Sequence, residues 1–231
     1  MGEEIVRVWV IRTDLPDSAV ASLGRLLDAD ERERAEAFGR PEMRARFIAA
    51  HGAVRVIVGG QLGIAPELVR WRADGRGKPE LANRDAPKVS TSRSGELAAL
   101  ALAPSRRVGV DVQRVESGID VVRMAGRFYP AAEAGFVAQA EPAEQVSRFL
   151  RLWARKEACV KAGGGLLLAG LRLETPTSGV VSDPGGPLPG PYLVRDIEVP
   201  AGFHGSVAVA GEEPFCLRTR DWPEAGYMLG N

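Results

Sequence analysis

Two acidic side chains, one amide and a pair of lysines stand at spacings that could gather them into one reactive centre. In Val108-Gly109-Val110-Asp111-Val112-Gln113 the valines alternate with the other residues. A strand here therefore puts Asp111 and Gln113 on the face that carries Gly109. Two hard oxygen donors pointing the same way make half a site for magnesium. A lone Asp at a strand end can equally cap a neighbouring helix. In Phe149–Lys161, residues Trp153, Lys156, Glu157, Val160 and Lys161 recur at helical spacing. One helix face then joins apolar packing to a carboxylate bracketed by ammonium groups. The plain alternative is a Glu157–Lys161 salt bridge beside a core tryptophan, worth about 0.3–0.5 kcal/mol.

Two further segments add groups that could meet an anion. Gly75-Arg76-Gly77-Lys78-Pro79 frees the backbone ahead of a lysine and fixes it beyond. It is not a Walker loop, because Arg72 stands where the first glycine of that motif would be and Pro79 where its Ser or Thr would be. Ser90-Thr91-Ser92-Arg93-Ser94-Gly95 gathers hydroxyls and a guanidinium after a short strand. Taken alone, the first is also an ordinary surface turn and the second a polar hairpin. Lysine is the exception in this chain: of 30 basic residues only Lys78, Lys88, Lys156 and Lys161 are lysine. Lysines kept at 78, 156 and 161 point to a need for compact, titratable charge.

The elements that must position these groups follow from periodicity. Residues 5–11 read as a strand, and Asp17-Ser18 opens a helical stretch. After Pro41, Phe47, His51, Val54 and Val58 fall at helical spacing and the glycines at 59, 60 and 63 end the run, which predicts a long buried helix. Short extended pieces follow at 71–73, 88–91, 97–103 and 107–112. Helices are expected over 119–127, 131–140 and 143–162, and strands over 171–174, 192–198, 206–210 and 215–219, with a Pro/Gly-rich loop at 183–191. This order predicts an α+β fold of two halves, residues 1–110 and 111–231.

Composition narrows the function classes. At 231 residues, 45% hydrophobic and 26% charged, the chain suits one large globular domain or two small ones. Zero formal charge disfavours a dedicated nucleic-acid binder. Glu3 and Glu4 stand where a secretion signal needs basic residues, and no apolar run is long enough to span a membrane, so a cytoplasmic protein is expected. Cys159 and Cys216 are too far apart to suggest a zinc cluster or a disulfide framework, and they read as packing residues. Only His51 and His204 are available for histidine chemistry.

Taken in order, GKP at 77–79, STSRS at 90–94, GVDVQ at 109–113 and WARKEACVK at 153–161 resemble the motifs of the Sfp-type 4'-phosphopantetheinyl transferases. Those motifs are Gly-Lys-Pro, Asn-x-Ser-His-Ser, Gly-x-Asp-x-Glu and Trp-x-x-Lys-Glu-Ala-x-x-Lys, and RFIAAHGAVR at 46–55 looks like the family's preceding helix. The resemblance implies a monomeric pseudo-dimer of two similar α+β halves with the active site at their interface. It implies transfer of the 4'-phosphopantetheine arm of coenzyme A to a serine of an apo acyl or peptidyl carrier protein, releasing 3',5'-ADP, for polyketide or nonribosomal peptide biosynthesis. The carrier's acidic helix would dock on an apolar and basic surface near the cleft.

The resemblance also implies roles, position by position. Asp111, Gln113 and Glu157 would hold magnesium, with manganese as a substitute. Lys161 would neutralise the diphosphate or protonate the departing phosphate. Glu157 could accept the carrier serine's proton, with a metal-bound hydroxide or water as the alternative base. Lys78, Pro79, Ser92, Arg93 and Lys156 would belong to the coenzyme A site, Lys156 being equally suited to a structural role, and Arg55 would reach the 3'-phosphate. Three departures stand out: Ser90 for Asn, Arg93 for His and Gln113 for Glu. Arg93 keeps a cation but removes an imidazole, and Gln113 removes one negative charge from the metal site. Those two changes prompt the competing reading, a noncatalytic module that binds coenzyme A or a carrier.

Overall fold

Alternating valines start the fold. In β1 (Glu4–Arg12), Val6, Val8 and Val10 face one apolar cluster while Trp9 and Ile11 face another, the pattern of a strand buried on both sides. The computed structural model describes residues 3–75, 77–82, 86–175 and 177–223. Arg76, within the loop singled out above, lies outside them.

The chain runs one succession twice. After β1 come α1 (Asp17–Gly24), α2 (Ala29–Glu36) and α3 (Pro41–Leu62), then a hairpin of β2 (Trp71–Ala73) and β3 (Pro79–Leu81), then β4 (Lys88–Ser94) and β5 (Leu97–Ala103). The second run is β6 (Val108–Arg114), α4 (Val121–Phe128), α5 (Ala131–Ala138), α6 (Pro142–Gly163), α7 (Leu167–Gly170), β7 (Gly179–Val181), β8 (Tyr192–Asp196) and β9 (Phe203–Ala210). The long helices α3 and α6 each carry proline in the first turn, where no backbone N–H is needed. Each stops at a left-handed glycine, Gly63 at φ 67° and Gly164 at φ 69°. β10 (Phe215–Trp222) then returns to lie parallel to β1. The sheets are β10-β1-β5-β4 and β6-β9-β8-β7.

Four layers result. Apolar residues of α3 pack on one face of the first sheet through Trp9, Ile11, Leu100 and Leu102. Between the sheets, Val8 and Ala99 meet Val108, Val110, Val112, Val207 and Val209. The second sheet's other face meets α6 through Val194 and Ala208. This explains the unbroken apolar run of β5, in which every residue is buried. No helix among the described residues is long and apolar enough to cross a membrane.

Two expectations need correction. The division at residue 110 cuts through β6, and β10, assigned to the second half, completes the first sheet. The strand expected over 171–174 is a turn after α7. Leu171 and Leu173 alternate with polar residues because they enter two different clusters, one with α4 and α5 and one with the second sheet.

Candidate active site

The strand β6 puts its valines between the sheets, so Gly109, Asp111 and Gln113 face α6 as their alternation required. Asp111 is only 2% exposed yet makes three side-chain contacts from three elements. Its Oδ1 accepts from Ser92 Oγ on β4 at 2.7 Å and from Lys161 Nζ on α6 at 2.7 Å. Its Oδ2 accepts from Gln113 Nε2 at 2.8 Å. Lys161 also donates to the Val110 carbonyl at 3.0 Å. Glu157 lies one turn before Lys161. Burial and the nearby Asp111 charge hold its carboxyl above the usual range, with Lys161 opposing them. Among the described residues no hydrogen bond or ion pair engages that carboxylate.

Beside this cluster opens a cavity of about 330 Å³, with Lys161, Ser92, Arg93, Lys78 and Pro79 in its wall and Trp71 supplying an apolar surface. Pro79 is exposed at the start of β3. Lys78 is tethered, its Nζ donating to the carbonyls of Val108 and Lys161, each at 2.8 Å. Burial, with Arg107 and Lys161 adding repulsion against Asp74 and Glu80, lowers its ammonium to about 8. An anion gripped by Lys78 should therefore bind more weakly as pH rises through about 8, because the ammonium loses its proton there. The Kd for sulfate, an anion that does not titrate between pH 7 and 9.5, should rise across that range in the wild type and stay flatter in Lys78→Arg, whose guanidinium remains charged. Parallel profiles would remove Lys78 from the anion site.

Two assigned residues are elsewhere in role. Arg55 is 0% exposed. Its Nε bonds Glu31 at 2.5 Å, its other nitrogens reach Asp28 and the Pro66 and Val69 carbonyls, and it is not available to a phosphate. It ties α3 to the capping box that Asp28 and Glu31 form at the start of α2. Arg55→Met should lower stability by about 3–5 kcal/mol, the scale of orphaning a buried ion-pair partner, as read by denaturant unfolding. Lys156 is likewise 0% exposed, paired with Glu133 at 2.5 Å and with the Leu173 carbonyl, so it fastens α6 to α5 and the turn after α7. The buried Cys159 thiol, pushed up to about 12, packs beside it as expected.

The sequence reading missed Arg34 and His51. The guanidinium groups of Arg34 and Arg93 stand over the Phe47 ring at 5.3 and 4.9 Å, and His51 stacks on that ring at 4.0 Å. All three of Arg34, His51 and Arg93 line the cavity. Burial and the Arg34 charge lower Arg93. Burial and the two guanidinium groups lower His51, against Glu31. Two cations forced together at one end of a cavity favour an anion between them. The only sequence signal was the i, i+4 spacing of Phe47 and His51; Arg34 sits in an acidic–basic run that reads as a solvated face.

The donor set suits magnesium. Among the described residues no three His, Cys, Asp or Glu side chains cluster. Asp111 and Glu157 with the Gln113 amide give two carboxylates and a neutral oxygen, which fits an ion that takes one or two carboxylates and fills its remaining positions from water and phosphate. Glu157, raised by burial and by Asp111 and without a hydrogen-bond or ion-pair partner among the described residues, is the side chain a cation would satisfy.

Two carboxylates and an ammonium beside a cation-rimmed cavity are suited to chemistry on an anionic substrate. Residues 107–183, which contain both motifs of the acidic cluster, match the profile of the 4'-phosphopantetheinyl transferase superfamily. The 4'-phosphopantetheinyl transferase HetI of Nostoc sp. is 35% identical over 162 residues, covering 69% of this chain and 68% of the relative. A putative 4'-phosphopantetheinyl transferase of Synechocystis sp. is 28% identical over 172 residues, 74% of this chain and 69% of that one. The 4'-phosphopantetheinyl transferase of Bacillus subtilis is 26% identical over 166 residues, 71% and 73%. The chain belongs to the 4'-phosphopantetheinyl transferase superfamily and is a transferase.

Proposed function

We propose that this protein moves the 4'-phosphopantetheine arm of coenzyme A onto a serine of an apo acyl or peptidyl carrier protein of polyketide or nonribosomal peptide synthesis. It acts as a cytoplasmic monomer in which one chain supplies both walls of the cleft. The twofold succession of strand, helices, long helix and strands supports a pseudo-dimer of two α+β halves. The observation that carries the reading is the meeting at Asp111 of Ser92 from β4 and Lys161 from α6, within the field of Glu157.

In this reading the nucleotide of coenzyme A lies in the cavity, with Trp71 against its apolar part. Arg34 and Arg93 take the 3'-phosphate, the role that Arg55 cannot fill. Lys78, Ser92 and Lys161 face the diphosphate. The carrier serine oxygen attacks the phosphorus that bears the pantetheine arm, its proton passing to Glu157. The bond to the other phosphate breaks, and Lys161 stabilises the charge left on 3',5'-ADP. Magnesium, held by Asp111, Glu157 and Gln113, would neutralise the diphosphate as a Lewis acid. Incubation with coenzyme A, magnesium and fatty-acid, polyketide and nonribosomal-peptide apo carriers should add the mass of the arm to a synthase carrier. No mass gain on any carrier would sink the reading, and gain on the fatty-acid carrier alone would sink the synthase part of it.

A further inference from the structure

β6 is an edge strand: β9 pairs with one side of it and no described strand pairs with the other. Backbone groups on such an edge need partners once buried, and here side chains of the first half supply them. Ser90 Oγ accepts from the Val110 N–H at 3.1 Å, and Ser94 Oγ accepts from the Arg114 N–H at 3.0 Å. Between them Ser92 Oγ donates to Asp111 at 2.7 Å. Residues at i, i+2 and i+4 of a strand share one face, so β4 lays three hydroxyls along β6. Lys78 adds a fourth tie at the Val108 carbonyl.

We propose that Ser90 and Ser94 are positioning residues for the transfer reaction, acting through the backbone of β6. They fix the register of β6 against β4, and so set where the Asp111 carboxylate stands between Ser92 and Lys161. The inference rests on the proposed reading of that cluster as the transfer centre. A hydroxyl suits the task because it accepts one N–H in little space, whereas alanine at 90 would leave the buried Val110 N–H without a partner. Thr91 and Arg93, alternating with the serines, are exposed in the wall of the cavity, and the buried Ser90 and Ser92 reach the same wall from the side that meets β6.

The test uses Ser90→Ala, Ser94→Ala and Ser94→Thr in the full chain. Amide exchange is read by NMR in protein free of substrate and metal. Val110 should exchange about tenfold faster in Ser90→Ala, and Arg114 likewise in Ser94→Ala. With coenzyme A, magnesium and a carrier, kcat should fall about tenfold in the alanine variants, short of the hundredfold that an ångström of misplacement causes. KM for coenzyme A should stay within about twofold, and Ser94→Thr should keep wild-type values in both measurements. Unchanged exchange, intact kcat, or a threonine variant as slow as the alanine one would overturn the proposal. If Ser90→Ala does not fold, the Ser94 pair decides alone. A wild type that transfers nothing would defeat the transfer reading, while the exchange arm still decides whether the hydroxyls hold β6.

Discussion

Asp111→Ala should lower kcat for transfer by about 10³-fold or more, the upper scale for losing a preorganised electrostatic contact, while far-UV circular dichroism stays native. The carboxylate is the shared acceptor of Ser92, Lys161 and Gln113, so its removal frees three donors at once. Lys161, about a quarter exposed, can turn to water, which keeps the structural loss moderate. Asp111→Asn separates charge from shape: its amide can still accept from Ser92, but the negative charge is gone. Glu157→Gln should remove activity to a similar degree with the opposite effect on stability. Glu157 has a raised carboxyl in the folded protein, so between pH 4.5 and that raised value the native state binds more protons than the unfolded one. Stability therefore falls as pH rises through this window. Above it, the glutamine variant should have a Tm no lower than the wild type. Wild-type turnover in either the Asp111 or the Glu157 variant would remove that residue from the centre.

The parts of this site that could be read from sequence are those set by one element's own period. Alternation in β6 put Asp111 and Gln113 on one face, and the i, i+4 step put Glu157 and Lys161 on one helix face, before any fold was known. What could not be read depends on a partner from another element. The spacing around Arg55 gives a helix face, yet its burial is decided by Asp28 and Glu31, more than 20 residues earlier. Arg34 looked like part of a solvated run because nothing local reveals that Phe47 would bring it next to Arg93. Lys156 and Glu157 are neighbours on one helix, but only the placement of α5, which carries Glu133, sends the lysine into the core, while the glutamate stays half-buried within reach of the Asp111 charge. The return of β10 to β1 was hidden for the same reason, since strand propensity does not name a partner.

The second large effect is expected where no functional atom exists. A Cβ added at Gly109 would stand 2.0 Å from the Ala158 carbonyl oxygen, 2.5 Å from the Ala162 nitrogen and 2.9 Å from Lys161 Cβ. The two shortest contacts are backbone of α6, which cannot rotate aside, so β6 and α6 must part. β6 cannot retreat the other way, because Val108 and Val110 are fully buried between the sheets. The strain should lower stability by about 1–3 kcal/mol, the range for overpacking a core. The same separation carries Asp111 away from Glu157 and Lys161, and a misplacement near 1 Å should reduce kcat about 10²-fold. Gly60 on α3 is the control: nothing lies within 4 Å of a Cβ there, and alanine should stabilise the helix by about 0.8–1 kcal/mol with turnover unchanged. Measured side by side, Gly109→Ala should lose both Tm and kcat, and Gly60→Ala should gain Tm and keep kcat. A Gly109→Ala protein of normal turnover would mean that the carboxylate of β6 need not be held against α6, and the centre would have to be assembled in another way.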